Sequence, residues 1–319
     1  MYLCCPVCRQ DICGRWSPFR WDAVTAWMRI RASSRFWTID QETRYFMFSS
    51  VISRLQYWFQ YLTSDPLGFI VYVLYTAVTI LLSLILHEIA HGYMALRCGD
   101  PTAKWMGRLT LDPRKHLDPI GTISMLVIGV GWAKPVPVNP RNFRNYRRDD
   151  FLVSVAGIAT NLTLFILCTA LSVGVNGLMW NREFLAVVRD TSGTLEYLLS
   201  TDYVIGYSIA YGELDPVWVA DMSAPWLMYV QRFLLLMART NLALAVFNLL
   251  PIPPLDGFHL LNDTLLKGRI SLNQQTFRIT HIILLVLCFS GFLTNLLHTV
   301  NTNVYSAVLN LFLKMTGGA

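Results

Sequence analysis

The sequence predicts an all-α polytopic membrane protein, with about four transmembrane helices and a re-entrant or extended β segment. Composition is the first indication: 54% of the 319 residues are hydrophobic and 14% are charged, where a soluble domain carries about 25% charged residues. The second is four long apolar runs, each near the roughly 20 residues needed to cross hydrocarbon. The third is an asymmetry of loop charge, described below. The net charge of +6 then reflects basic loops at a membrane face rather than nucleic-acid binding, because no basic stretch is interleaved with stacking aromatics in a polar domain.

Residues 1–66 read as an N-terminal tail with an interfacial segment. Residues 1–46 are basic and rich in Trp and Arg, and an interfacial segment, a disordered tail or an upstream start codon would each explain them. Cys4, Cys5, Cys8 and Cys13 crowd this tail. Cys5-Pro6-Val7-Cys8 resembles half a zinc ribbon, but no second Cys-x-x-Cys follows. The aromatic stretch 48–62 contains Arg54 and suits an interfacial amphipathic helix, which Asp65-Pro66 ends.

Leu67–Leu96 is the first expected span. Pro119–Trp132 is apolar but short and glycine-rich, so it reads as re-entrant or interfacial. Ala133–Asn139 alternates prolines with valines, which suits an edge strand or extended segment. Phe151–Val175 and Trp226–Leu250 are the second and third spans, and Ile279–Val300 is the fourth. Residues 301–319 read as a C-terminal interfacial tail. The loop 97–150 holds ten basic residues, whereas the polar insertion 176–225 holds seven acidic ones. The positive-inside rule places the first in the cytoplasm and the second outside.

The first span ends in His87-Glu88-Ile89-Ala90-His91, an H-E-x-x-H pattern. On a helix, positions i and i+4 share a face, so both imidazoles can reach one ion. Zinc suits these donors, and a catalytic zinc takes three protein ligands plus water. Glu88 is then placed to act as a base toward water. A chance match is the alternative in a soluble helix. In a membrane helix, each ionisable group costs about 2.5–3.5 kcal/mol to insert, and a divalent metal is the partner that uses all three.

The third ligand is not adjacent, since Arg97 stands where a histidine would continue the pattern. The downstream glutamates, Glu183, Glu196 and Glu213, all lie in the polar loop. Asp256, in NLLPIPPLDG (248–257), is the remaining candidate. Prolines 251, 253 and 254 prevent the third span from continuing as helix, and unwound backbone at membrane depth is tolerated where it lines a buried site. The alternative for Asp256 is a cap after the span. If His91 and Asp256 share one ion, the first and third spans run in the same direction, which a re-entrant 119–132 allows.

These paired motifs resemble the site-2 protease family of intramembrane zinc metalloproteases, in its compact bacterial branch without a PDZ domain. The pattern N-x-x-P-x-x-P-L-D-G is complete in Asn248, Pro251, Pro254, Leu255, Asp256 and Gly257. Residues 107–122 and 131–139 are similar to the family's loop and strand segments. Gly157-Ile158-Ala159-Thr160-Asn161 is similar to its G-P-x-x-N, with Ile158 in place of proline. The resemblance covers roughly residues 67–300.

It implies one zinc per chain, held by His87, His91 and Asp256, with Glu88 as catalytic base. It implies transmembrane proteins or peptides as substrates and a bacterial cell membrane, while the basic loop and the shared direction of the first and third spans put the active site toward the cytoplasmic side. Asn161, Asn248, Pro135, Val136 and Val138 are the expected substrate contacts, with an interhelical hydrogen bond as the alternative for Asn161. His259 is a candidate neighbour of the metal ligands, His116 a loop residue, and His281 and His298 structural. A catalytically silent zinc-binding protein and a transporter are the rival readings.

Overall fold

A computed structural model describes residues 51–119, 121, 133–211, 216–267, 270, 273–289 and 292–317. The N-terminal cysteines, residues 1–46 and most of the expected re-entrant segment 119–132 lie outside them. Contacts divide the chain into residues 1–53 and 54–319.

Helix α1 (Val51–Ser64) precedes α2 (Pro66–Cys98). Asp65 starts α2 by accepting from the Gly68 amide at 2.9 Å, with Pro66 at the first helical position. Gly99, at φ 110°, ends it; a side chain there would be strained. Helix α3 (Tyr146–Met179) is capped by Asn145. Short helices follow in the polar segment, including α4 (Arg182–Ser192) and α5 (Val204–Tyr211). Helix α6 (Leu227–Asn248) leads into α7 (Asp256–Thr264), then α8 (Gln274–Phe289) and α9 (Phe292–Met315).

Among the described residues, α2, α3 and α6 are long and apolar enough to cross a membrane. They correspond to the first three expected spans. The fourth, 279–300, overlaps α8 and α9, and its residues 290–291 lie outside the described residues. The stretch 304–313, expected as an interfacial tail, is the packed half of α9, whose Tyr305, Leu309 and Leu313 are buried at helical spacing. No strand occurs among the described residues. Residues 133–139 carry no regular secondary structure, so the expected β segment is not seen.

Side-chain pairings fix the helix directions. Tyr75 donates to the Tyr229 carbonyl, and further along both helices Asn241 Nδ2 donates to Ser83 Oγ. Helices α2 and α6 therefore run parallel. His91 meets Val153 and His87 meets Asn161, so α3 runs antiparallel to α2. The Arg144 amide donates to the Cys98 carbonyl at 3.2 Å, so the connection between α2 and α3 leaves and returns at one place.

The polar insertion folds over an apolar interior. Trp180 stacks on Phe184 at 4.6 Å and donates from Nε1 to Asn176 Oδ1. Leu198, Leu199 and Ile209 join Leu235, Leu242 and Leu309 in the same core. Arg239 pairs with Asp202 at 3.0 Å and lies over the Tyr305 ring, while Tyr305 donates to the Leu199 carbonyl at 2.9 Å. This packing joins the insertion to α6 and α9.

Candidate metal centre

His87 and His91 point from one face of α2 into the bundle, at 5% and 9% exposure. Their Nε2 atoms lie 2.9 Å apart. Asp256 Oδ2 lies 3.4 Å from each. A tetrahedral ion bound at about 2.0–2.1 Å separates its ligands by about 3.3 Å, so the three atoms have nearly the spacing of one face of such a site. Asp256 Oδ2 is buried and has no hydrogen-bond partner among the described residues. A buried carboxylate oxygen facing two imidazole nitrogens calls for a cation.

Tautomers are set from α3. His91 Nδ1 lies 2.7 Å from the Val153 carbonyl, an acceptor, so the proton sits on Nδ1 and Nε2 keeps its lone pair for a metal. His87 Nδ1 lies 3.2 Å from the Asn161 side-chain amide. With the amide oxygen turned toward it, Asn161 accepts from Nδ1–H and orients His87 in the same way. The close approach of α3 depends on Gly157, where a Cβ would sit 2.4 Å from His91 Nε2 and 2.6 Å from His87 Cε1.

Asp256 opens α7 immediately after the proline-rich turn. Gly257 lets this turn fold tightly, since a Cβ would lie 2.3 Å from the Leu249 carbonyl oxygen. Leu255 anchors it among Leu284 and Leu293, with Phe247 and Ile252 packed alongside. A second tie was not legible in the sequence: His259 Nδ1 meets Asp150 Oδ2 at 3.0 Å, joining α7 to the start of α3. Only the run Asp149-Asp150 at the mouth of an apolar helix hinted at it.

This corner has its own pH dependence. Burial first, and then the Asp150 carboxylate, push Asp263 up to about 6. The hydrogen bond to Asp150 raises His259, against burial. Both groups hold protons more tightly folded than unfolded, so the stability they confer is present at lower pH and falls as pH rises through their folded values. Thermal melts between pH 5 and 8 should show declining stability, and Asp263→Asn should flatten the part of the decline around pH 6. A decline of unchanged size in that variant would contradict the assignment.

Glu88 is held by the extended segment: the Val136 amide donates to Oε2 at 2.8 Å. Arg108 grips the same segment through the carbonyls of Lys134 and Pro135, at 2.8 and 3.1 Å. Buried Asp100 accepts from the Asn139 amide, the Asn142 side chain and Thr102. Burial alone would raise its pKa, but these hydrogen bonds outweigh burial and lower it. Val136 packs at Gly92, where a Cβ would come within 2.9 Å of Val136 Cγ1 and 2.6 Å of Leu109 Cδ2. Val136→Pro removes the N–H while keeping extended backbone. A hydrogen bond to a charged group contributes about 1.5–3 kcal/mol, so catalysis should fall at least about tenfold with metal content unchanged. Val136→Ala, which keeps the N–H, should retain most of the rate, and equal losses in both variants would contradict this role.

The structure thus brings together His87, Glu88, His91, Asp256, Asn161 and Val136. Asn248 turns back onto its own helix, donating to the Leu244 carbonyl at 3.0 Å. Pro135 is exposed and Val138 half-buried.

A helical membrane protein that gathers two histidines, an aspartate and an adjacent glutamate at the ends of its spans defines a class: a membrane-embedded metallohydrolase. The model of peptidase family M50 matches residues 75–291. YwhC of Bacillus subtilis (strain 168), which carries a zinc-metalloprotease name, is 36% identical over 194 residues, 61% of this chain and 70% of its own. Rip2 of Mycolicibacterium smegmatis (strain ATCC 700084 / mc(2)155), similarly named, is 28% identical over 48% of this chain and 62% of its own. Rip2 of Mycobacterium tuberculosis (strain ATCC 25618 / H37Rv) is 34% identical over 43% of this chain and 56% of its own. No solved structure gives a significant match. The chain belongs to peptidase family M50, the site-2 protease family. It is an intramembrane zinc metalloprotease.

Proposed function

We propose that His87, His91 and Asp256 hold one zinc ion, that Glu88 is the catalytic base, and that the substrates are transmembrane proteins or peptides cleaved near the cytoplasmic face of a bacterial cell membrane. The observation that carries this reading is the triangle of Nε2, Nε2 and Oδ2 atoms, each within 3.4 Å of the others, with Glu88 the next residue along. Held by His87, His91 and Asp256, a zinc ion would supply Lewis-acid polarisation of a scissile carbonyl and would bring the pKa of water toward about 7. Glu88, held by the Val136 amide, takes the proton of the attacking water and passes it to the leaving amine. Asn161 orients His87, and Val153 orients His91.

Orientation rests on charge and direction. The histidines and Asp256 lie at the end of α2 that leads into the basic loop 97–150, which the positive-inside rule keeps in the cytoplasm. Residues 134–138 offer substrate an extended edge at the centre, in which Pro135 and Val138 remain accessible; a strand added there would present its scissile bond beside Glu88. Asn248 belongs to the turn that frames the opposite wall.

Comparative proteomics of membrane peptides in cells carrying wild-type or Glu88→Gln protein tests the function. Membrane-protein fragments present with the wild type and absent with the variant support it. Identical fragment sets, with both proteins expressed and zinc-loaded, would overturn it.

A further inference from the structure

Arg232 is a buried cation without an anion among the described residues. It lies in the second turn of α6, at the end opposite the metal, and is 5% exposed. Its Nε donates to the Ile209 carbonyl of α5 at 2.9 Å. Tyr75 of α2 and Tyr229 of α6 set their rings against the guanidinium, 5.4 and 5.9 Å from its central carbon. Its terminal nitrogens have no acceptor among the described residues, and no described carboxylate lies within ion-pair distance. Of the insertion's acidic groups, Asp202 is taken by Arg239 and Glu196 by Asn310. Glu213 and Asp215, in the connection after α5, lie outside the described residues.

A charge withdrawn from water and left unpaired is costly, and an ionisable group within a span pairs with something or lines a site. The two rings and the carbonyl offset part of that cost but carry no net negative charge. Whatever completes the site is therefore an anion. The terminal nitrogens are also open to it: Arg108 Nε and Arg239 Nε are sealed in the interior without partners, whereas no nitrogen of Arg232 is. A guanidinium with Nε already engaged presents its remaining N–H groups as a planar fork, which matches the paired oxygens of a phosphate or a carboxylate.

The surroundings choose between these. Trp226 and Tyr229, just before Arg232 on α6, are exposed, and so are Val230 and, next to Tyr75 on α2, Leu74. Exposed aromatic rings at the end of apolar spans mark the depth of lipid headgroups, and the exposed aliphatic side chains beside them suit acyl chains. The anion present in quantity at that depth is the phosphodiester of a bilayer lipid.

We propose that Arg232 is the phosphate-binding residue of a phospholipid site at the end of the spans opposite the metal, with the phosphodiester on the open edge of the guanidinium and the acyl chains over Leu74 and Val230. The site rests on α2 and α6 lying in a membrane and not on the proteolytic chemistry.

Native mass spectrometry of the zinc-loaded full chain in detergent, with added phosphatidylglycerol, reads the site. A single lipid per chain should be retained, and a phosphate-free galactolipid with the same acyl chains should be held at least about tenfold less well, the loss expected for a charge-assisted hydrogen bond. Arg232→Gln should lower phosphatidylglycerol to the galactolipid level with zinc content unchanged, while Glu213→Gln combined with Asp215→Asn should leave retention unchanged. Equal retention of the two lipids, or of phosphatidylglycerol by wild type and Arg232→Gln, would overturn the site. A marked gain in the Glu213/Asp215 variant would overturn it too, since those carboxylates would then be the natural partners of Arg232. Displacement by inorganic phosphate would exclude a lipid-specific site, and displacement by a peptide with a free C-terminal carboxylate, but not by its amide, would assign the fork to a peptide terminus instead. One arm needs no variant and so survives a misfolded Arg232→Gln. Phosphatidylglycerol carrying a diazirine near its glycerol should crosslink mainly to the peptides containing Leu74 and Tyr75 and those containing Tyr229 and Val230. Crosslinks spread evenly over α2, α3 and α6 would contradict the proposal.

Discussion

Glu88→Gln retains its zinc and loses cleavage, with kcat reduced by about 100- to 10,000-fold, the range set by removing a positioned general base. The substitution is nearly isosteric, and a glutamine oxygen can still accept from the Val136 amide that meets Glu88 Oε2 at 2.8 Å. The ligands His87, His91 and Asp256 are untouched. What disappears is the basicity that takes a proton from water. Glu88→Ala differs, because it also releases the 133–139 segment from α2, and should weaken substrate binding as well as turnover. Parallel measurement of bound zinc, KM and kcat on both variants checks this. A Glu88→Gln protein that cleaves at the wild-type rate with its zinc in place would remove Glu88 from the chemistry and favour the transporter reading.

Gly157→Ala should be almost as damaging, although the residue carries no functional group. Its Cβ would lie 2.4 Å from His91 Nε2 and 2.6 Å from the Cε1 atoms of His87 and His91. Helix α3 cannot retreat to make room, because the same helix supplies the Val153 carbonyl to His91 and Asn161 to His87. Either the imidazoles shift or their orienting partners are lost. Loss of such partners weakens metal binding by about 10–100-fold, and zinc affinity should fall at least that far, with activity falling alongside. Gly177→Ala is the control: it lies on the same helix, and a Cβ there meets nothing within 4 Å. It should bind zinc normally and be as stable as the parent, since alanine is the better helix former. Zinc titration of the two variants by competition with a chelator decides the matter, and equal affinities would contradict the packing argument.

The gathering of His87, His91 and Asp256 was legible because it is written in spacing. Two histidines four apart on a helix and an aspartate beyond a proline-broken span name their partner almost without tertiary information. The parallel course of α2 and α6 followed from the need to join them. Contacts between distant positions could not be read in this way. Asp150 and His259 are 109 residues apart, and neither position announces the other. Nothing local to Val136 shows that its amide is taken by Glu88. The stripe of Tyr305, Leu309 and Leu313 that packs on the core was missed for a different reason: ending the fourth span at 300 left these residues in a tail, where their helical spacing was not weighed. The insertion 176–225 is acidic in sequence, and nothing local marks its Trp180, Leu198 and Ile209 as buried.

Zinc-edge X-ray absorption on the purified full chain tests the central claim most directly. The account predicts one zinc per chain with a first shell of nitrogen and oxygen at about 2.0–2.1 Å, including two imidazoles, and no sulfur at about 2.3 Å; Asp256→Ala should lower both occupancy and oxygen coordination. A shell containing sulfur, which would point to the N-terminal cysteines, or a zinc site unchanged by loss of Asp256, would contradict it.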